Sequence, residues 1–468
     1  MKISESKNNS IIGLLPLYVE LYDRLWPEMR TKINAFYETM TRELGKRGLA
    51  VTTVPVCRIK HEFEEAVKIF ENEKVDAIVT LHLAYSPSLE SVDALIGTKL
   101  PIIVLDTTNA YDFSFRQDEE ELLYNHGIHG VQDLCSLLKR NGKQFFIEAG
   151  HWEKSDVLDR VVSSVNAARI SKAMRNSRVG SIGGSFRGMG DFDVPEDILR
   201  STIGVETINY DFNQSEYLLA EISAKEISDE IVYDNSNYLV HEINTKIHKQ
   251  ITTACLAVRK WIEKERLSAF TVNFLAIDLN SGLGCMPFLE ASKAMARGTG
   301  YAGEGDVLTA ALVGALASVY AETSFTEMFC PDWEHNSIFL SHMGEMNIDL
   351  TAEKPLLAVK AFPFTDASDT VAAFGRFKPG KAVLVNLAPS AGNTYTLIVS
   401  TVDVLDVEGE DKMSISIHGW FRPDMQISQF LEDYSRAGGT HHAVLVYGDK
   451  VREIKKFGEM MRWNLVEI

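Results

Sequence analysis

Basic residues are in short supply. The 468-residue chain has 47 Lys and Arg against 65 Asp and Glu, a net charge of −18, which argues against nucleic acid or an anionic membrane surface as a partner. No apolar run approaches the roughly 18 residues needed to span a bilayer. The opening stretch Met1–Ser10 is polar and lacks the apolar core of a signal peptide, so a cytoplasmic protein is expected. The five cysteines, Cys57, Cys135, Cys255, Cys285 and Cys330, contain no pair two to four residues apart, which argues against a disulfide framework and a zinc ribbon and fits a reducing compartment. There is no Gly-x-Ser-x-Gly elbow, no P-loop and no His-Glu-x-x-His. The glycine-rich Gly183–Gly188 follows a strand-like stretch, but its glycines are out of register for a dinucleotide fingerprint and no obvious helix follows. It is either a turn presenting Arg187 to a polyol or anion, or a plain surface turn.

Ordinary globular composition is present, with 45% hydrophobic and 24% charged residues. At about 150 residues per domain the length predicts about three domains. Apolar runs at Ile11–Leu17, Val51–Val56, Ala77–His82, Pro101–Asp106 and Gln144–Glu148 alternate with helix-length spans, which predicts an α/β layer with a parallel sheet. Such sheets bind ligands at the carboxyl ends of their strands, where His82, Asp106–Asn109 and His151-Trp152 collect; ordinary strand-to-helix caps would look the same. Arg178–Ile182 opens a second α/β unit, with helical patterns at Ser215–Ser228 and Tyr238–Arg266 and a strand at Ala269–Leu279. Beyond Phe325, short alternating segments at Leu356–Phe362, Ala382–Ala388, Thr394–Val402 and Lys412–His418, separated by turns, predict antiparallel β structure. The expected fold is therefore two consecutive α/β domains with parallel sheets, residues 1–176 and 177–325, followed by a β-rich, barrel-like antiparallel domain, 326–468.

One stretch concentrates the chemistry. Gly300-Tyr301-Ala302-Gly303-Glu304-Gly305-Asp306 sets a glutamate among glycines just before the apolar run Val307–Tyr320, at a helix mouth with room for close backbone approach. Glu327 follows that run, His342 closes the strand-like Ser337–Ser341, and His441-His442 opens Ala443–Tyr447. Histidines in apolar surroundings need partners. Two readings stay open at this level: a shared metal site, or satisfied core histidines with a helix-capping glutamate.

The run Gly300–Asp306 with Thr309-Ala310-Ala311-Leu312 resembles the L-arabinose isomerase family of the arabinose/fucose isomerase superfamily. Further matches follow in the same order: Gly150-His151-Trp152, Thr323-Ser324-Phe325 with Glu327, Ser341-His342-Met343 with Glu345, Gly438-Gly439 with His441-His442, and Arg462-Trp463-Asn464. The resemblance implies a metal-dependent aldose–ketose isomerase acting through an ene-diolate. Glu304, Glu327, His342 and His442 would be the ligands of Mn2+, or of another divalent ion such as Mg2+ or Co2+. Glu304 and Glu327 would also be the catalytic acid and base, their order left open. Asn125–Gly130 is similar to a family helix that reaches into a neighbouring subunit's pocket. That implies a homo-oligomer, trimer or hexamer, with the pocket shared between subunits, and a monosaccharide as partner. His82, His129, Arg187 and His441 would contact the sugar.

The chain departs from the family where a Gly-Ser-Gln-His-Leu-Tyr run is replaced by Gly13-Leu14-Leu15-Pro16-Leu17-Tyr18, and where Met328-Phe329-Cys330 follows Glu327. The expected substrate is accordingly an aldopentose or related sugar rather than specifically L-arabinose. The alternative is a non-catalytic sugar-binding or regulatory protein on the same scaffold.

Overall fold

A computed structural model describes residues 10–468; the polar stretch Met1–Ser10 lies, except for Ser10, outside the described residues. The chain divides into two units, Met1–Arg169 and Ile170–Ile468.

The first unit is a five-stranded parallel sheet of β1 (Ile11–Leu17), β2 (Ala50–Thr53), β3 (Ala77–His82), β4 (Ile102–Asp106) and β5 (Phe145–Ala149), in the order β2-β1-β3-β4-β5. Helices cross between consecutive strands, and the long ones offer one apolar face: Met29–Lys46 buries Met29, Ile33, Phe36, Met40 and Leu44, a helical spacing. The sheet grows in one direction from β1 to β2 and in the other from β1 through β3, so the switch point lies between β1 and β3, the position that forms a crevice at the carboxyl edge. Leu15 belongs to the apolar cluster that includes Phe63, Phe70 and Val104. Leu15 is thus a core residue of β1.

In the second unit β6 (Arg178–Ile182), β7 (Glu206–Asn209), the two-residue β8 (Leu239–Val240), β9 (Ala269–Val272) and β10 (Gly300–Gly303) follow, and four of them form a parallel sheet in the order β10-β9-β6-β7. The strand expected over Ala269–Leu279 stops at Val272, because the Asn273 side chain accepts the Leu275 N–H at 3.1 Å and turns the chain into a 3-10 helix. The helical pattern Ser215–Ser228 breaks at Ser223. This residue caps a new helix, Ala224–Asn237, by exchanging hydrogen bonds with Glu226.

The rest of the unit is β11 (Thr323–Asp332), β12 (Ser337–His342), β13 (Leu356–Lys360), β14 (Thr370–Arg376), β15 (Gly380–Ser390), β16 (Thr394–Val404), β17 (Ile417–Pro423), β18 (His442–Tyr447) and β19 (Asn464–Glu467). Six of these close into an antiparallel barrel, β11-β12-β17-β16-β15-β18, because β16 pairs with both β15 and β17. Closure removes the edges that an open sheet would expose. Its interior is aliphatic and aromatic, with Ile338, Leu340, Leu384, Ile398, Phe421 and Leu445 among the buried residues. The segment Lys412–His418, expected as a strand, is strand only from Ile417, since Asp411 accepts the Met413 N–H at 2.8 Å and holds His418 Nε2 at 2.8 Å, making a turn there. The apolar run after the glycines is a helix, Val307–Ala317, buried on every side through Leu316. It packs against β9 and β10 on one side and β11 and β18 on the other, which a helix apolar all round requires.

Candidate metal centre

Glu304 follows β10 directly and has φ +63, in the left-handed region. For a glutamate this costs of order 1–3 kcal/mol and persists only where the surroundings enforce it. Here its N–H donates to the Val272 carbonyl at 2.9 Å and its carbonyl accepts the Phe186 N–H at 2.8 Å. A Cβ on Gly303 would stand 2.5 Å from Cε1 of His342, and one on Gly305, at φ +84, would meet the Gly184 carbonyl. The two glycines therefore let the glutamate's backbone pass between an imidazole and the Gly183–Gly188 turn. That turn is a support of the centre, and Arg187, next to Phe186, is exposed on it.

The barrel supplies the other groups. Glu327 on β11 stands opposite His442 on β18 and Ser341 on β12, so a neighbouring strand contributes on each side. The β11–β12 register shifts between Met328 and Cys330, a bulge just past Glu327, and pairing resumes from Cys330 opposite Phe339. Two sets of potential donor atoms result, Glu304 with His441 and His442, and Glu327 with His342 and His442, the atoms of each set within 4.8 Å of one another. His442 is common to both. Glu304, Glu327, His342 and His442 are thus brought together, with His441 beside Glu304 at 3.4 Å.

Each imidazole is held at Nδ1 by a carboxylate. His442 Nδ1 is 2.9 Å from Asp306, His342 Nδ1 2.7 Å from Glu345, and His441 Nδ1 2.6 Å from Asp191. Phe192 stacks on His442 with centroids 5.2 Å apart, and Phe325 meets His342 and His442 edge-on at 4.8 and 4.9 Å. His442 Nε2 is buried and has no hydrogen-bond partner, while Glu304 Oε2 lies 3.7 Å away. A buried polar atom in that state is costly unless something else satisfies it. Two carboxylates and imidazole nitrogens fit a divalent ion that prefers oxygen and nitrogen donors.

The carboxyls of the two glutamates are pulled in opposite directions. Burial alone would raise Glu304, but the hydrogen bond from His441 and the nearby His442 and His342 hold it below its usual value. Burial dominates at Glu327 and raises it. Burial works against charge on His441, yet the hydrogen bonds to Glu304 and Asp191 outweigh it and push the ring up to about 9.

Of the other expected sugar contacts, His82 and His129 lie in the first unit. His82, at the end of β3, is buried against Gly127 and Gly130, and neither ring nitrogen makes a hydrogen bond. His129 is exposed on the helix Gly127–Arg140. Sequence reasoning left Asp306, Asp191, Tyr301 and Phe192 without roles. Asp306 carries a signal, a capping residue three before Thr309, and Glu345 follows His342 at a helical-turn spacing. Asp191 carries none, being 250 residues from His441.

Residues 199–322 match the family model for the L-arabinose isomerase central domain, and residues 322–464 that for the L-arabinose isomerase C-terminal domain. The two together span more than half of the chain. L-arabinose isomerase of Shouchella clausii is 22% identical over 466 residues, covering 96% of this chain and 92% of that protein. Those of Geobacillus kaustophilus and Geobacillus thermodenitrificans are 25% and 26% identical, each covering 83% of this chain and 80% of the relative. Among solved structures, the periplasmic binding protein of an arabinose ABC transporter from Shewanella sp. ANA-3 superposes with a TM-score of 0.16 at 14% identity, over 66% of this chain and 83% of that one, too loosely to bear on the fold.

Proposed function

The chain belongs to the L-arabinose isomerase family of aldose–ketose isomerases, and from that premise we propose that Glu304, Glu327, His342 and His442 hold a divalent ion while the two glutamates move the proton between the sugar's C2 and C1. The observation that carries the reading is the buried, unpartnered His442 Nε2, shared by two donor sets that contain both glutamates. A divalent ion such as Mn2+, Mg2+ or Co2+, when bound, supplies Lewis-acid stabilisation of the charge that develops on the sugar oxygens.

The remaining chemistry belongs to the chain's own residues. Proton abstraction beside a carbonyl needs a carboxylate within reach, and its return to the neighbouring carbon needs an acid of matched strength. Opposite shifts on two neighbouring carboxyls support such a division of work: Glu304 is kept ionised among imidazoles, and Glu327 holds its proton more readily. Phe325 and Phe192 keep the imidazoles in place and exclude water from their flanks. His441, held by Asp191, offers Nε2 to a sugar hydroxyl next to Glu304, and Arg187 stands on the adjoining turn.

His82 and His129 are proposed as sugar contacts completed by assembly of a trimer or hexamer, in keeping with the family resemblance. The substrate is an aldopentose or related sugar. Glu304→Ala and Glu327→Ala, assayed on a panel of aldoses with Mn2+, are each expected to abolish isomerisation; turnover surviving in either variant overturns the assignment.

A further inference from the structure

The two buried histidines of the centre are oriented by carboxylates that are wired differently. Asp306 is fully buried and its oxygens have separate duties. Oδ1 accepts the Thr309 N–H at 2.8 Å as the N-cap of Val307–Ala317, and Oδ2 stands 2.9 Å from His442 Nδ1. An ionised carboxylate only accepts, so the Nδ1 facing it carries the proton and Nε2 keeps its lone pair. That Nε2 is the buried atom without a partner, and the ring cannot swing away because Phe192 and Phe325 confine it. Glu345 differs: its Oε2 accepts both the Gly344 N–H at 2.7 Å and His342 Nδ1 at 2.7 Å, while Oε1 accepts the Tyr301 hydroxyl at 2.7 Å.

We infer that Asp306 is a positioning residue: by capping the helix with one oxygen it aims the other at His442 Nδ1, fixing the tautomer whose Nε2 is free to ligate. The ligation step rests on the metal reading above; the tautomer does not. The helix makes the arrangement rigid, since the capping oxygen cannot be turned away from the Thr309 N–H without losing the cap. Outer carboxylates of this kind typically account for about 10–100-fold in metal affinity.

The wiring makes the two amide variants unequal. In Asp306→Asn the cap requires the amide oxygen at Thr309, which turns the NH2 toward His442 Nδ1. That nitrogen must then accept, and the proton moves to Nε2, the ligating position. In Glu345→Gln the amide oxygen is required at the Gly344 N–H, the same place His342 Nδ1 uses, so the NH2 turns to the Tyr301 hydroxyl, which can accept it. The His342 tautomer survives.

The test uses the full chain with 15N-labelled histidine, the His442 ring signals being identified by their loss in His442→Ala. Metal-free wild type is expected to show His442 protonated at Nδ1, and Asp306→Asn protonated at Nε2. Mn2+ affinity, followed by the paramagnetic signal of free Mn2+, is expected to fall about 10–100-fold in Asp306→Asn and to stay within about threefold in Glu345→Gln. Thermal unfolding of metal-free Asp306→Asn should match wild type, because the cap is kept. A wild-type His442 protonated at Nε2 overturns the inference without recourse to any variant, as does an Asp306→Asn protein with unchanged tautomer and Mn2+ affinity. Wild type that shows the Nδ1 tautomer but binds no Mn2+ leaves this inference standing and overturns the metal reading instead.

Discussion

The second unit's candidate metal centre and the carboxyl edge of the first unit's sheet are both rich in buried polar groups, but they are finished in opposite ways. At the centre every imidazole has a carboxylate on Nδ1, and the Nε2 of His442 is left buried without a hydrogen-bond partner. At the sheet edge His82 makes no hydrogen bond, and the hydroxyls of Tyr18, Thr80 and Ser86 and the Trp152 indole N–H are likewise buried and unpartnered. Burial drives His82 down to about 3, so it is neutral at pH 7. The difference is one of chemistry: the first arrangement gathers charge around a point, and the second offers neutral donors and acceptors, which suit hydroxyl groups or water.

The largest effect expected from breaking this contrast is at its sharpest point. His442→Ala removes the donor common to both sets, so kcat/KM for aldose isomerisation should fall at least about a thousandfold, about 4 kcal/mol of transition-state stabilisation, and bound metal measured by elemental analysis should vanish. Chelator should lower the wild-type melting temperature and leave the variant's unmoved, because only a protein that binds the ion is stabilised by it. Equal responses to chelator would end the claim that this site holds a metal.

A smaller effect is expected from Gly303→Ala, whose new methyl meets the ring of His342 at 2.5 Å. Overpacking of this kind costs about 1–3 kcal/mol. A lowered denaturation midpoint should accompany weakened metal binding, because the displaced ring is a proposed ligand; normal metal affinity would show that the ring moves freely.

The third concerns the sheet edge; it is negligible at neutral pH and works through linkage as the pH falls. With His82 at about 3 in the folded protein against an ordinary value of 6.5, the unfolded chain binds the extra proton. Stability is therefore lost as pH falls from about 6.5 toward 3, at up to about 1.4 kcal/mol per pH unit. His82→Gln should flatten that slope between pH 7 and pH 5 in urea titrations, and an unchanged slope would mean that His82 is solvated or paired.

Much of this was legible in one dimension, but unevenly. Strands β1, β3, β4, β5 and β6 were readable to within a residue or so at their ends; for β1, β3 and β4 the reason is that a strand buried on both faces reads as a near-continuous apolar run, whereas β5 is an edge strand with Ile147 exposed. Strands β10 and β11 were not: Gly300–Gly303 is all small or aromatic residues with no alternation, and Thr323–Asp332 begins in threonine and serine, which are buried in the fold where they pair with Val446 and Leu445 of β18. The barrel-like antiparallel domain was expected from its short alternating segments, but the particular pairing that closes it, β16 with β17, joins segments separated by a turn-rich loop and could not be read from the order of strands.

Glu304 shows both sides. Its glycine neighbours, the apolar helix that follows and the carboxylate itself are local features, so the sequence alone determined that a glutamate would stand at a helix mouth with room for close approach. It also determined the residue types of the centre, and hence the class of ion they suit. Which imidazole faces which carboxylate was decided only in three dimensions. Asp191 reaches His441 across 250 residues, and Asp306 turns from a helix cap into the partner of His442 across 136. Hydrogen bonds act over about 3 Å, and only tertiary packing brings such distant residues that close.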